Sequence, residues 1–178
     1  MEINKFYLIF ANLLDYPSED RVKLFNDFLS IVNNTFSGQL PSIDTLELEY
    51  TKLFINAHPF VPAPPFASVY LPSENIYDIV ENFYKRGNYL IDDRKFPPDY
   101  LIYELVFLFN LFNDKNYRLE GEFLNSHFIP WFQKFSIKVK ENDETGFYSF
   151  ITEKIEIFLK NRLKELENGK TDIPTRIF

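Results

Sequence analysis

Two carboxylates, Asp99 and Glu104, stand in the most apolar stretch of the chain, PPDYLIYELVFLFNLF at 97–112. An acid in such surroundings is costly unless a cation or hydrogen-bond donors meet it. Asp99 reads as a carboxylate at the positive end of a helix or as a functional anion. Glu104 reads as hydrogen-bonded within the core or as facing a groove. Other chemistry is sparse. With no cysteine there is no disulfide, thiol nucleophile or Cys-ligated metal, and His58 and His127 are too few for a histidine-rich metal site. No Gly-rich phosphate cradle is present, and no cofactor is expected. Ser68 and His58 share a proline-rich stretch, but no orienting acid stands at an obvious spacing for a hydrolase. His127, just before Pro130-Trp131, reads as a satisfied core or rim histidine, and Trp131 as core.

The elements that would position these groups follow from apolar spacing. Phe6, Ile9, Phe10, Leu13 and Leu14 predict a helix over 3–15, which Tyr16-Pro17 ends. Ser18 caps a second helix carrying Phe25 and Phe28. A third is predicted over about 44–57, with Leu46, Tyr50, Leu53 and Phe54. Residues 58–73 hold five of the eleven prolines, so no regular helix survives there. Phe60, Val61, Phe66, Val69, Tyr70 and Leu71 make that segment a rigid apolar loop on the helical body, and not a linker. A fourth helix is predicted over about 75–90. The 97–112 helix is apolar nearly all round and is expected at the centre of the core. A stretch over about 117–140 should kink or split at Pro130, and a last helix spans about 147–167. The fold class is all-α: a single compact multi-helix bundle over 1–168, with a proline-rich loop between the third and fourth helices. Residues 169–178 are expected to be a mobile tail.

The net charge of −7 and the lack of a Lys/Arg cluster disfavour nucleic acid. An acidic surface suits a basic partner and equally aids solubility. The first twenty residues lack a strong basic region and a small-residue cleavage site, so they read as a core helix and not a signal peptide. The 97–112 helix is too short for a membrane span. The expected location is the cytoplasm.

Three stretches then act together. They are Tyr50-x-x-Leu53-Phe54 followed by Pro65-Phe66-Ala67-Ser68-Val69-Tyr70; Pro97-Pro98-Asp99-Tyr100 running to Glu104-Leu105; and Phe123-Leu124-x-x-His127-x-x-Pro130-Trp131. In this order and spacing the chain resembles the TorD/DmsD/NarJ family of redox-enzyme maturation chaperones over roughly residues 45–135. The resemblance implies an all-helical, non-enzymatic protein. Its partner would be an apo molybdoenzyme catalytic subunit with its twin-arginine signal peptide, held until molybdopterin is inserted. It also implies a monomer or a domain-swapped homodimer. The implied peptide site is Tyr50, Leu53, Phe54, Pro65, Phe66, Ser68, Tyr70, Asp99, Tyr100 and Glu104. The chain departs from the pattern where Tyr50 and Phe66 replace tryptophans, where Ala67 replaces a glycine, and where Tyr100 replaces a histidine. The last change removes a titratable group, although Tyr100 still donates one hydrogen bond and stacks. A nucleotide- or small-ligand-binding regulator using the same groove is the competing class. It would show saturable nucleotide binding without peptide.

Overall fold

Several helix starts in this chain are set by short polar side chains, and much of its helix packing by aromatic rings. The computed structural model describes residues 4–32, 36, 39–92 and 94–169; the expected tail at 169–178 lies outside them except for Gly169. Eight α-helices run through the described residues: α1 Asn4–Leu13, α2 Glu19–Ile31, α3 Ile43–Tyr50, α4 Ile76–Arg86, α5 Leu101–Asn113, α6 Tyr117–Phe123, α7 Ile129–Asn142 and α8 Phe147–Glu167. No β-strand occurs among those residues, only an isolated bridge between Phe66 and Tyr100. Ser18 Oγ accepts the Arg21 N–H at 3.3 Å and starts α2. Ser42 Oγ does the same for Thr45 at the head of α3, two residues before the expected start at Asp44. Asp143 gathers the N–H groups of Thr145, Gly146 and Ser149 at the start of α8.

The core is one aromatic cluster. The Phe10 ring meets Phe158 of α8 at 5.4 Å, and Phe128 stacks on Phe132 at 5.5 Å. Helix α5 lies against α1, and α7 against α8. Leu101, Glu104, Leu105, Phe107, Leu108 and Leu111 of α5 are buried. Ile102, Tyr103, Val106 and Phe109 are only half-buried, so the central helix is covered on three sides and not on all.

Two expected helices continue through wide π turns. The third passes from α3 into Thr51–Ile55, which turns Leu53 and Phe54 inward. The 117–140 stretch breaks at Leu124–Phe128, and Pro130 follows as the second residue of α7, where its missing N–H removes no bond. A buried ion pair joins α6 and α8. Glu120 takes two Arg162 hydrogen bonds at 2.8 Å and a third from the Tyr7 hydroxyl at 2.8 Å, tying α6, α8 and α1 together. The Arg162 guanidinium also lies 4.8 Å from the Phe112 ring centroid.

The end of α4 is fixed by close approach. A Cβ on Gly87 would sit 2.5 Å from the Phe107 ring and 3.0 Å from Leu111. Gly87→Ala is therefore expected to lower unfolding stability by about 1–3 kcal/mol, the usual scale of overpacking. Urea denaturation measures this, and an unchanged midpoint would mean that α5 shifts freely.

Candidate functional site

Pro97-Pro98 lacks two backbone donors and opens a turn before α5, closed by Tyr100 N donating to the Pro97 carbonyl at 3.2 Å. That backbone is paired instead with the proline loop. Ala67 N donates to the Asp99 carbonyl at 3.1 Å, and Leu101 N donates to the Pro65 carbonyl at 3.0 Å. Helix α5 accordingly begins at Leu101 and not at the prolines, and Asp99 stands before it. The Asp99 carboxylate is fully buried, and its Oδ2 accepts the Ser68 N–H at 2.7 Å. Its Oδ1 is buried with no hydrogen-bond partner among the described residues. The Tyr84 hydroxyl donates to the Pro98 carbonyl at 2.7 Å and closes the other side.

Glu104 lies one turn further along α5, with no exposed surface. Its Oε1 is 2.7 Å from His127 Nε2, and its Oε2 accepts the Trp131 indole N–H at 2.8 Å. Both oxygens are occupied, by side chains from the second π turn and from α7. Burial pushes the Glu104 carboxyl up, and the facing imidazole pulls it part of the way back. Burial alone would push His127 down, but Glu104 more than offsets this and leaves the imidazole above its ordinary value. His127 is the satisfied interior histidine that its apolar setting implied. The Trp131 ring then stacks on Tyr70 at 6.0 Å, and Lys134 Nζ donates to the Tyr70 carbonyl at 2.9 Å. The proline loop is thus held at Ser68 by Asp99, just before α5, and at Tyr70 by α7.

The ten residues singled out in the sequence fall into two groups. Tyr50 and Tyr100 are buried and Phe66 half-buried, and they join an aromatic run that reaches the surface only at Tyr16 and Phe96. Tyr100 lies 5.5 Å from Phe66 and 4.4 Å from Phe96, and Tyr50 meets Tyr16 at 5.4 Å. The Tyr50 and Tyr100 hydroxyls are near enough to raise and lower one another's ionisation. The Tyr100 phenol is pushed up to about 12, first by burial and then by the Asp15 carboxylate. Leu53, Phe54 and Tyr70 turn inward instead, with Phe54 and Tyr70 both on Phe135 at about 6 Å. Pro65, Asp99 and Glu104 are buried, and Ser68 contributes its backbone N–H. Tyr16, Phe96 and the half-buried Tyr103 border this run but were not singled out: Tyr16 and Phe96 stand at breaks outside any apolar period, and Tyr103 read as part of the apolar cover of the 97–112 helix. Tyr16 is 42% and Phe96 44% exposed. Two loop residues expected to be covered, Phe60 and Val69, are open to solvent.

Among the described residues, no group of three or more His, Cys, Asp or Glu side chains is placed to hold a metal, and no helix is long and apolar enough to cross a membrane. The family described as the nitrate reductase delta subunit matches residues 12–136. The chain belongs to that family, the NarJ/TorD group of redox-enzyme maturation chaperones, whose members are chaperones and not enzymes. It is 26% identical over 135 residues to the chaperone protein TorD of Vibrio parahaemolyticus, covering 65% of this chain and 61% of that one. It is 26% identical over 115 residues to TorD of Vibrio atlanticus, covering 55% and 54%. The chain thus spans under two thirds of the length of these curated relatives. A crystal structure of a candidate redox enzyme maturation protein from Archaeoglobus fulgidus superposes with a TM-score of 0.67 at 25% identity, covering 90% of this chain and 95% of that one.

The Glu104–His127 pair makes stability pH-dependent with a defined sign. Both groups have folded-state pKa values above their ordinary ones. The folded chain therefore binds more protons than the unfolded chain, and the contribution present at low pH is lost as pH rises through the raised values. Denaturation midpoints are expected to fall as pH rises from the ordinary carboxylate range through and past the imidazole range. His127→Gln should flatten that slope and cost about 3–5 kcal/mol, the scale for breaking a buried charged pair. A slope unchanged by His127→Gln would place the titration elsewhere.

Proposed function

We propose that the chain is a cytoplasmic maturation chaperone. It binds the twin-arginine signal peptide of an apo molybdoenzyme subunit, or the body of that subunit, and holds it while molybdopterin is inserted before export. Family membership supports the chaperone class. The observation that carries the finer reading is the aromatic run Tyr16–Tyr50–Tyr100–Phe96–Phe66, which reaches the surface where the proline loop meets the start of α5. A twin-arginine signal has an apolar helix-prone segment, and such segments bind on apolar walls with a few acids nearby. In this reading Phe66 forms the wall together with the exposed Tyr16 and Phe96, over the buried Tyr50 and Tyr100. Leu53, Phe54, Pro65 and Tyr70 back it from within. Asp99, Glu104 and the Ser68 N–H fix the loop that carries Phe66. The net charge of −7 speeds encounter with a basic peptide.

Titration calorimetry of the full chain with a twin-arginine signal peptide, and with the same peptide carrying Ala-Ala for Arg-Arg, tests this. The first is expected to bind tightly and the second clearly more weakly. Binding of neither would overturn the peptide reading. Asp99→Ala leaves the half-buried Ser68 N–H without its acceptor and is expected to weaken binding by about 1–3 kcal/mol. A large loss of stability with unchanged affinity would confine Asp99 to a structural role.

A further inference from the structure

The two carboxylates in the α5 stretch are poorly placed to meet an incoming cation. Glu104 has both oxygens occupied inside the core, and Asp99 is enclosed beneath Ser68. A third carboxylate stands at the edge of the aromatic face. Asp15 lies in the α1–α2 turn next to the exposed Tyr16 ring, and its side chain is 41% exposed. The Tyr16 N–H donates to Asp15 Oδ1 at 2.8 Å and fixes the carboxylate's orientation. Its negative charge is felt by both the Tyr50 and the Tyr100 hydroxyl, which places it beside the aromatic run and not behind it.

This carboxylate already holds a guanidinium. Arg21 donates from one terminal nitrogen to Asp15 Oδ2 and from the other to the Tyr16 carbonyl. The turn therefore offers a guanidinium a carboxylate, a carbonyl and an adjacent aromatic ring, the set that favours arginine over lysine. The internal guest is incompletely held: Arg21 Nε is buried with no hydrogen-bond partner among the described residues. Half-exposed ion pairs of this kind contribute little net stability, so exchanging one guanidinium for another is nearly neutral in charge pairing. A competing arginine that brings an apolar segment onto the aromatic run gains burial that Arg21 does not.

We infer that Asp15, with the Tyr16 carbonyl, receives an arginine of an apolar arginine-bearing peptide, and that Arg21 occupies this place in the free chain and is displaced on binding. The inference rests on the peptide-binding reading above and names the cation site and its internal competitor.

Fluorescence-anisotropy titration of the full chain with a labelled twin-arginine signal peptide separates the possibilities. Asp15→Asn is expected to weaken binding by about tenfold or more, the scale of one lost charge-assisted bond. It should also shrink the preference for Arg-Arg over Ala-Ala peptide. Arg21→Gln is expected to tighten binding several-fold, because the competitor is gone. Lys23→Gln removes the same charge from an exposed neighbouring position of α2 and should leave affinity unchanged. Three results would overturn the inference: an Asp15→Asn chain that binds as the wild type with its arginine preference intact; an Arg21→Gln chain that binds more weakly; or a Lys23→Gln chain that tightens as much as Arg21→Gln. If the wild-type chain binds no arginine peptide at all, the peptide reading itself fails. If it binds while these variants behave otherwise than expected, only the cation site fails.

Discussion

The interior of this protein depends on satisfying Glu104. A carboxylate with no exposed surface is tolerated only when each oxygen has a partner, and here the partners are His127 and Trp131. That demand fixes α5 against the second π turn and α7. The wide turn at Leu124–Phe128 sets His127 and Trp131 on either side of the carboxylate, and Pro130 begins α7 where a proline costs nothing. Through Trp131 the constraint extends to Tyr70 and so to the proline loop. Glu120 repeats the arrangement on the far side, where Arg162 and Tyr7 join three other helices.

The proline loop is therefore part of the body and not an appendage. Its backbone pairs with Asp99 and Leu101, its Ser68 N–H meets the Asp99 carboxylate, and its Tyr70 lies on Trp131. The chemistry that singled out Asp99 and Glu104 in the sequence acts inward and sets the position of Phe66. What reaches solvent is aromatic: Tyr16, Phe96 and parts of Phe66 and Tyr103, with Asp15 at one edge. An open groove of about 650 Å³ lies between α7 and α8, lined by Phe150 and Ile157 among lysines, glutamates and serines.

Much of this was legible in the sequence, and the parts that were not share a cause. The last helix runs over 147–167 as its spacing predicts, and Ser18 caps α2 as expected, because both follow from local pattern. The start of α5 was misplaced by four residues. Pairing of residues 99–101 with 65–67 takes the backbone bonds that a helix would have used, and nothing near Pro97 signals a partner thirty residues away. Arg162 and Glu120 look like ordinary surface charges on amphipathic helices, and only the tertiary packing of α6 on α8 makes them a buried pair. In the candidate site, the family resemblance pointed to Tyr50, Phe66 and Tyr100, and apolar spacing by itself placed only Tyr50. It missed Tyr16, Phe96 and Asp15, which sit at helix breaks where periodicity carries no information.

Hydrogen exchange of the full chain with and without a saturating twin-arginine signal peptide tests the central claim most directly. The claim is that the peptide binds on the face where the proline loop meets the start of α5. The account predicts slower exchange of amides within residues 15–21, 65–71 and 96–103 on binding, with the α7–α8 groove unchanged. Protection confined to α7 and α8, with 65–71 and 96–103 exchanging as in the free chain, would contradict it.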